Sequence, residues 1–112
     1  MEDKYKTEPD FQEQLEEYTE ERVHLVPQYN IVLLDDDDHT YDYVIEMLMK
    51  VFGHDAATAY KMACAVDALG RVVVDTTHKE RAEVKRDQIH EYGADWRLER
   101  SVGSMSAEIE PI

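Results

Sequence analysis

Tyr29-Asn30-Ile31-Val32-Leu33-Leu34-Asp35-Asp36-Asp37 carries the strongest structural signal in the chain. Ile31 to Leu34 form a short apolar run that is partly β-branched, which is typical of a buried strand. The aspartates that follow end this strand, because Asp is depleted in strands and favoured in turns. The sequence therefore predicts a buried strand that leads into an acidic turn.

Two helices are predicted after this turn, over residues 41–52 and 56–69. Apolar residues recur at helical spacing in each of them, as expected for a helix that packs one face against a core. Each helix is preceded by a polar residue whose side chain can accept a hydrogen bond from an N–H of the first turn. Each is followed by a glycine that tolerates the positive φ common at a helix end. These boundary residues are Asp38 or Thr40 and Gly53 for the first helix, and Asp55 and Gly70 for the second.

The second half of the chain predicts a strand, a helix and a further strand. The strand is Arg71 to Asp75, and the helix opens at Thr76 or Thr77, with Glu80 as a capping-box partner. This helix is expected to run to about residue 92, and weaker strand candidates follow at 96–100 and 105–109. The order β-α-α-β-α-β predicts an α+β sandwich, with three helices against a mostly antiparallel three-stranded sheet.

The acidic residues are concentrated near the N-terminus. Residues 1–27 hold nine acidic and three basic side chains and few apolar ones, so they are predicted to form a flexible arm. Within it, residues 10–22 have the spacing of a helix that binds a partner, and a merely solubilising tail is the alternative. Residues 28–112 are predicted to form the folded core domain.

Composition excludes several classes of function. A net charge of −14 argues against binding to nucleic acid or to an anionic membrane. No apolar run approaches the roughly 20 residues of a membrane span, and the N-terminus lacks the apolar core of a signal peptide. The one cysteine, Cys64, cannot form an internal disulfide and is interpreted as a packed thiol. We expect a cytoplasmic protein.

The segment 29–37 resembles the opening strand and turn of the ClpS adaptor family, usually written Tyr-x-Val-x-Leu-x-Asn-Asp-Asp. The resemblance covers residues 29–93 well and the last strand loosely. It implies an adaptor and not an enzyme, without a cofactor, which binds proteins with an N-terminal Leu, Phe, Tyr or Trp and delivers them to a Clp-type AAA+ unfoldase. In that family the N-terminal extension engages the unfoldase. Further matching segments are Tyr43-Val44, Ala65-Val66 and Ala82-Glu83-x-Lys85.

The resemblance also implies where a substrate's α-amine would bind. An ammonium group has only donors to offer, so it needs acceptors, preferably anionic ones. The corresponding positions are Asp35, Asp36 and Asp67, where the family usually has Asn, Asp and His, and Asp37 matches the family's third turn residue. Because three carboxylates repel one another, we expect at least one to have a raised pKa. A solvated acidic turn is the alternative interpretation of the Asp35–Asp38 run.

Two further sets of residues follow from the same resemblance. The side chain of the substrate's first residue is expected in an apolar pocket of Tyr41, Ala63, Val66 and Met105, although core packing alone also explains Val66. Tyr41 and Ala63 stand where the family often has methionines, which leaves the preferred N-terminal residue open. Contact with the unfoldase is implied at Glu80 and Lys85, for which a solvated helix face is the alternative.

Two other functions compete with the N-terminal adaptor. One is a divergent paralogue of the same fold whose amine site is lost or retuned toward another ligand. The other is a metal-dependent enzyme, because Asp36-x-Asp38-His39 offers oxygen ligands of the kind that Mg²⁺ or Ca²⁺ prefers. That segment lacks the Gly and the distal Glu of an EF-hand loop, so the sequence predicts no metal site.

Overall fold

The structure, a computed structural model, describes residues 26–112. The element order β-α-α-β-α-β and the α+β class predicted from the sequence are confirmed. Most of the predicted acidic arm, residues 1–25, lies outside the described residues. None of the helices described is long and apolar enough to cross a membrane. The elements are β1 (Gln28–Leu34), α1 (Tyr41–Phe52), α2 (Ala56–Leu69), β2 (Arg71–His78), α3 (Lys79–His90) and β3 (Ala107–Pro111).

The sheet has the order β2-β1-β3, and both pairings are antiparallel. The apolar run of β1 is fully buried at Ile31, Val32 and Leu33, which explains why this strand has no alternation of polar and apolar residues. Beyond Leu33 the backbone remains hydrogen-bonded to segments on both sides of β1. The N–H of Leu34 donates to Ser106, and that of Asp35 donates to Gly70, both at 3.0 Å. The acidic turn therefore starts from a fixed position.

The first two helices begin and end where the sequence predicts. Thr40 is the N-cap of α1 and accepts a hydrogen bond from the N–H of Tyr43, while Asp55 plays the same part for α2. Gly53 and Gly70 end these helices at φ angles of 74° and 82°, in the left-handed region where other residues are strained. Because α2 ends at Gly70, its last turn lies beside the start of the acidic turn.

The predicted start of the third helix is wrong. Thr76 and Thr77 pair with β1 and extend β2 to His78. The helix α3 therefore starts at Lys79, with Nδ1 of His78 accepting from the N–H of Arg81 at 3.3 Å. Glu80 is not a capping-box partner of Thr77, since Thr77 is part of the strand.

The segment after α3 also differs from the prediction. The helix ends at His90 rather than near residue 92. Residues 96–100 form turns instead of a strand, because their backbone bonds are local, from Leu98 to Asp95 and from Ser101 to Leu98. The last strand is Ala107–Pro111, two residues later than predicted. Residues 91–106 are thus one long connection, which we call the 91–106 loop.

One hydrophobic cluster lies between the sheet and the three helices. It includes residues from every element, with Ile31 and Leu33 of β1 at its centre. Two polar side chains, Asp95 and Ser101, are buried beside it, and both belong to the 91–106 loop. The loop is therefore attached to the body of the protein by buried polar contacts.

Candidate functional site

The acidic turn, residues 35–40, connects β1 to α1 and lies next to the end of α2. The hydrogen bond from Asp35 to Gly70 sets this arrangement, because Gly70 caps the helix whose last turn carries Asp67. Two carboxylates that are far apart in the sequence are in this way brought to the same end of the fold. The structure thus places Asp35 and Asp67 in one neighbourhood.

The charge state of Asp35 reflects this crowding. Burial is the largest cause that raises the pKa of its carboxyl group, and a hydrogen bond from the N–H of Asp36 lowers it. The negative charges of Asp67, Asp36 and Asp37 raise the pKa further. The expectation that one carboxylate of the cluster has a raised pKa is confirmed, although burial contributes more than repulsion.

Asp36 faces partly inward. Its Oδ1 accepts from the N–H of Asp38 at 2.9 Å and lies 2.7 Å from Nδ1 of His39. The side chain is 32% exposed, and the hydrogen bonds that it makes with residues 26–112 use Oδ1 alone. Oδ2 is the oxygen with which Asp36 can accept from a ligand.

Asp67 is bound to the first helix. The hydroxyl of Tyr41 donates to its Oδ2 at 2.5 Å, which joins α1 to α2 at the edge of the acidic cluster. This hydrogen bond is the main cause that raises the pKa of Tyr41 to about 12, since ionised Tyr41 would lose the bond and face a negative charge. The ring of Tyr60 lies 6.3 Å from that of Tyr41, so the surface beside Asp67 is aromatic.

The residues predicted to line the apolar pocket belong to one region of the core. Ala63, Val66 and Met105 are each only 1–2% exposed, and all three are members of the hydrophobic cluster. Tyr41 is 40% exposed and is the member of this set that lies at the surface. Three of the four predicted pocket residues are therefore packed in the core, and Tyr41 is the one with surface accessible to a ligand.

The 91–106 loop holds the acidic turn from the other side. Oδ2 of Asp95 accepts from both the N–H and the hydroxyl of Thr40, at 2.7 and 2.8 Å. Arg100 donates to the backbone carbonyl of Asp37. His39 completes the connection, since its Nε2 lies 2.7 Å from the carbonyl oxygen of Gly103. These contacts together fix the turn against the loop.

Asp95 is the most deeply buried charged group of this arrangement, at 1% exposure. Burial alone would raise its pKa, but hydrogen bonds from Thr40 and Arg97 outweigh burial and lower the pKa to about 2. Its carboxylate is therefore charged at neutral pH. Arg97 also reaches Glu46 of α1 at 3.4 Å, so the network that holds Asp95 links the loop to the first helix.

Sequence reasoning did not assign Asp95 and His39 to the site. Asp95 lies 55 residues from Thr40, and no periodicity or motif connects the two. His39 was visible only in Asp36-x-Asp38-His39, where it suggested a metal ligand. In the structure its two ring nitrogens contact Asp36 and Gly103 instead, and residues 26–112 contain no group of three or more His, Cys, Asp or Glu side chains arranged to hold a metal ion.

Glu80 and Lys85 lie on α3, along a surface groove of about 410 Å³. Glu80 is exposed at the start of the helix. Lys85 is half-buried, because its ammonium group donates to the carbonyl of Val51 at 2.7 Å and lies 6.0 Å from the ring of Phe52. Lys85 therefore has a structural contact with α1 in addition to its place in the groove.

Comparison with known proteins gives a consistent result. The family model described as "ATP-dependent Clp protease adaptor protein ClpS" matches residues 25–96, which is more than half of the chain. A solved structure of Agrobacterium tumefaciens ClpS2 bound to L-phenylalaninamide is similar in fold, with a TM-score of 0.67, and the match covers 77% of this chain and 98% of that one. The two sequences are 22% identical, so this likeness concerns the fold.

Two curated relatives are both described as ATP-dependent Clp protease adapter protein ClpS. The one from Hydrogenovibrio crunogenus is 35% identical over 65 residues, which are 58% of this chain and 62% of the relative. The one from Nautilia profundicola is 37% identical over 62 residues, which are 55% of this chain and 64% of the relative. The matched segment thus spans a little under two thirds of each relative.

Proposed function

Because the chain belongs to the ClpS adaptor family, we propose that it binds proteins that carry Leu, Phe, Tyr or Trp at the N-terminus and delivers them to a Clp-type AAA+ unfoldase. The family is one of adaptors, so the protein presents substrates to a protease and performs no catalysis itself. The substrate's α-amine binds at Asp35, Asp36 and Asp67, and its first side chain enters the pocket beside Tyr41.

The convergence of carboxylates at the end of β1 and α2 is the observation that carries this proposal. A protein N-terminus brings a positive charge and three N–H donors, and charge-assisted hydrogen bonds to carboxylates are the strongest partners for them. An ammonium group placed among the carboxylates would also offset the repulsion that Asp67 exerts on Asp35. The amine site is thus expected to be more stable filled than empty.

The apolar residues beside the cluster support the second half of the recognition. Val66 is one residue before Asp67, so the buried face of α2 begins directly next to the acidic group. L-phenylalaninamide, the ligand of the Agrobacterium protein, has a free α-amine, an aromatic side chain and an amide in place of the carboxylate. It has the chemistry of an N-terminal Phe, and a site of that kind in this chain would accept the same ligand.

The unfoldase is proposed to contact the groove on α3 that contains Glu80 and Lys85. Its other lining residues include Arg81 and the half-exposed, apolar Val84, so charged and apolar contacts are both available to a partner. The groove is formed by α3 and His78, whereas the acidic turn belongs to the β1–α1 connection. Substrate and unfoldase would therefore use different surfaces.

The hydrogen bond from Tyr41 to Asp67 favours a second candidate, a paralogue retuned toward another ligand. In this arrangement one Asp67 oxygen is already occupied by an internal donor, the hydroxyl of Tyr41. If the hydrogen bond persists, Asp67 can offer an amine only its other oxygen. A paralogue retuned in this way would not prefer peptides that have a free α-amine and a bulky first residue.

Isothermal titration calorimetry with three peptides tests the proposal. The peptides begin with Leu, Phe or N-acetyl-Phe and are otherwise identical. The proposed function requires binding of the first two and loss of binding on acetylation, since the acetyl group removes the charge and donors of the amine. Binding of none of the three would support the retuned paralogue, and equal binding of Phe and N-acetyl-Phe would exclude the amine site.

The variant Asp36→Asn tests whether the carboxylate of Asp36 binds the amine. Its amide oxygen can still accept the hydrogen bond from the N–H of Asp38, but the negative charge is lost. We expect it to weaken binding of the Phe peptide at least about 30-fold, the lower end of the effect of removing a charged partner. Asp42→Asn removes an exposed carboxylate from the start of α1 and is the matched control. The control should change the affinity less than about fivefold. Similar effects of the two changes would contradict the role of Asp36.

A further inference from the structure

His39 is a buried side chain in the acidic turn that the proposed function does not by itself require. Its side chain is 3% exposed, and its ring packs against Tyr43 with the centroids 4.5 Å apart. Nδ1 lies 2.7 Å from Oδ1 of Asp36, and Nε2 lies 2.7 Å from the carbonyl oxygen of Gly103. Both distances are those of good hydrogen bonds.

These two contacts determine the protons on the ring. A backbone carbonyl and a carboxylate only accept hydrogen bonds, and a neutral imidazole has a single N–H to donate. The contact with Asp36 therefore requires a proton on Nδ1, and the contact with Gly103 requires one on Nε2. The hydroxyl of Ser101, 3.4 Å from Nε2, is too distant to replace Gly103 as the main partner.

We propose that His39 is a positioning residue of the amine site: through Nδ1 it orients the Asp36 carboxylate, and through Nε2 it connects that carboxylate to the 91–106 loop. This inference rests on the proposed function. With Oδ1 of Asp36 held by His39 and by the N–H of Asp38, the carboxylate cannot rotate freely, and Oδ2 keeps one direction.

The position of His39 also connects the site to the 91–106 loop. Asp36 and Gly103 are held by the two edges of one ring, so the loop and the amine-binding carboxylate take their positions from the same side chain. A pre-oriented acceptor loses less entropy when a ligand binds than a mobile one does. Removing the contact with Asp36 should therefore weaken ligand binding more than removing the contact with Gly103.

Two neutral substitutions separate these contacts in the full chain. In His39→Asn the amide nitrogen takes the place of Nδ1 and can still donate to Asp36. In His39→Gln it takes the place of Nε2 and can still donate to Gly103. Both variants replace the ring with a neutral amide, so the difference between them reports the contact with Asp36. Affinity for the Phe peptide is measured by calorimetry, after urea unfolding has shown that each variant is folded under the conditions used.

We expect His39→Gln to bind the Phe peptide at least about tenfold more weakly than the natural chain, and His39→Asn to bind at least about threefold better than His39→Gln. The reverse order would show that anchoring the loop is the function of His39 and would overturn the inference. Natural affinity in His39→Gln would overturn it as well. If the unchanged chain binds no free N-terminus, the proposed function fails, and this inference fails with it.

Nitrogen-15 NMR of the unchanged chain gives a test that needs no variant. Nδ1 of His39 should have the chemical shift of a ring nitrogen that carries a proton, because it donates to Asp36. A shift typical of an unprotonated nitrogen at Nδ1 would overturn the inference, even if the variants at position 39 fail to fold.

Discussion

Asp95 is one of the residues through which the 91–106 loop holds the acidic turn. Its carboxylate accepts from the backbone and the hydroxyl of Thr40 and from Arg97, and these hydrogen bonds more than compensate for its burial. Thr40 is also the N-cap of α1. One buried carboxylate thus fixes both the start of the helix and the end of the turn that precedes it.

Asp95→Asn is expected to lower the free energy of unfolding by about 1–3 kcal/mol at pH 7, the usual contribution of hydrogen bonds to a charged group. The amide keeps the size of the side chain but loses the charge, and its NH₂ group faces donors. Urea unfolding measures the change. Asp75→Asn alters a carboxylate of β2 outside this network and is the matched control, for which we expect less than about 0.5 kcal/mol. Equal effects would contradict the role of Asp95.

The contribution of Asp95 should depend on pH in a defined direction. Its pKa is about 2 in the folded protein and near the ordinary value of 3.8 when unfolded. A lowered folded pKa stabilises the protein above the unfolded pKa, and the stabilisation disappears as the pH falls from about 4 toward 2. The stability difference between the natural chain and Asp95→Asn should therefore shrink over that interval. A constant difference would mean that the charge is not what matters.

The single residues that were predicted correctly are those whose partners lie close to them in the sequence. Asp55 and Gly70 were identified because capping and helix termination are local effects, and the structure confirms both. Asp95 was not identified as a site residue, because its partner Thr40 lies 55 residues away. His39 was noticed only as a possible metal ligand, since its contact with Gly103 spans 64 residues. A buried contact between distant segments leaves no pattern in a single sequence.

Among the elements, the boundary between β2 and α3 shows how pairing overrides a local signal. Thr76 and Thr77 satisfy the rule for a helix N-cap, and Glu80 has the spacing of a capping-box partner. The same threonines are β-branched, and residues of β1 opposite them offer backbone partners. Extending the strand gains ladder hydrogen bonds, and His78 then replaces threonine as the cap. The order of elements was predictable, but the boundary between β2 and α3 depended on the register in which β2 pairs with β1.

Lys85 connects two elements, since its ammonium group binds the carbonyl of Val51 in the last turn of α1. A cation at that position also interacts favourably with the negative end of the helix dipole. Lys85→Met should therefore lower the free energy of unfolding by about 1 kcal/mol. Lys79→Met makes the same chemical change at an exposed position of α3 and should have little effect on urea unfolding. Equal stabilities of the two variants would contradict the contact.

The variant Glu80→Gln tests the proposed contact with the unfoldase separately from the structural contact that Lys85 makes with α1. Glu80 is exposed in the first turn of α3, where a carboxylate interacts favourably with the helix dipole, so we expect its neutralisation to lower the free energy of unfolding by less than about 1 kcal/mol. Binding to the N-terminal domain of a Clp unfoldase, measured by calorimetry, should weaken for both Glu80→Gln and Lys85→Met. Unchanged binding in Glu80→Gln would remove the groove on α3 from the proposed interface.

For the whole molecule, the proposed amine site is assembled from parts of the chain that are far apart. The turn after β1 supplies Asp35 and Asp36, α2 supplies Asp67, and the 91–106 loop fixes the turn from outside. The assignment of the three aspartates to the amine comes from the resemblance between residues 29–93 and the adaptor family, and it stays a prediction. The resemblance did not predict the part played by the loop, because the loop lies at the end of the matched region and its contacts depend on Asp95 and His39.

The acidic arm is expected to act in delivery and not in ligand capture. Its nine acidic and three basic residues lie before β1, whereas the residues proposed to bind the amine and the first side chain all lie between 35 and 105. Removal of residues 1–25 should therefore leave the affinity for the Phe peptide unchanged. Calorimetry measures this affinity, and urea unfolding shows whether the shortened chain keeps the stability of the full chain.

The family resemblance implies that the arm engages the unfoldase while the core holds the substrate, so we expect the shortened chain to lose delivery. Degradation of a fluorescent protein with an N-terminal Phe by the unfoldase and its peptidase measures delivery.

A full-length variant in which residues 1–25 keep their composition but are scrambled in order separates two explanations. If charge and length are sufficient, the scrambled chain delivers normally; if the helical spacing over 10–22 binds a partner, it fails like the shortened chain. Normal degradation with the shortened chain would exclude the arm from delivery, since the core alone would then both bind the substrate and transfer it.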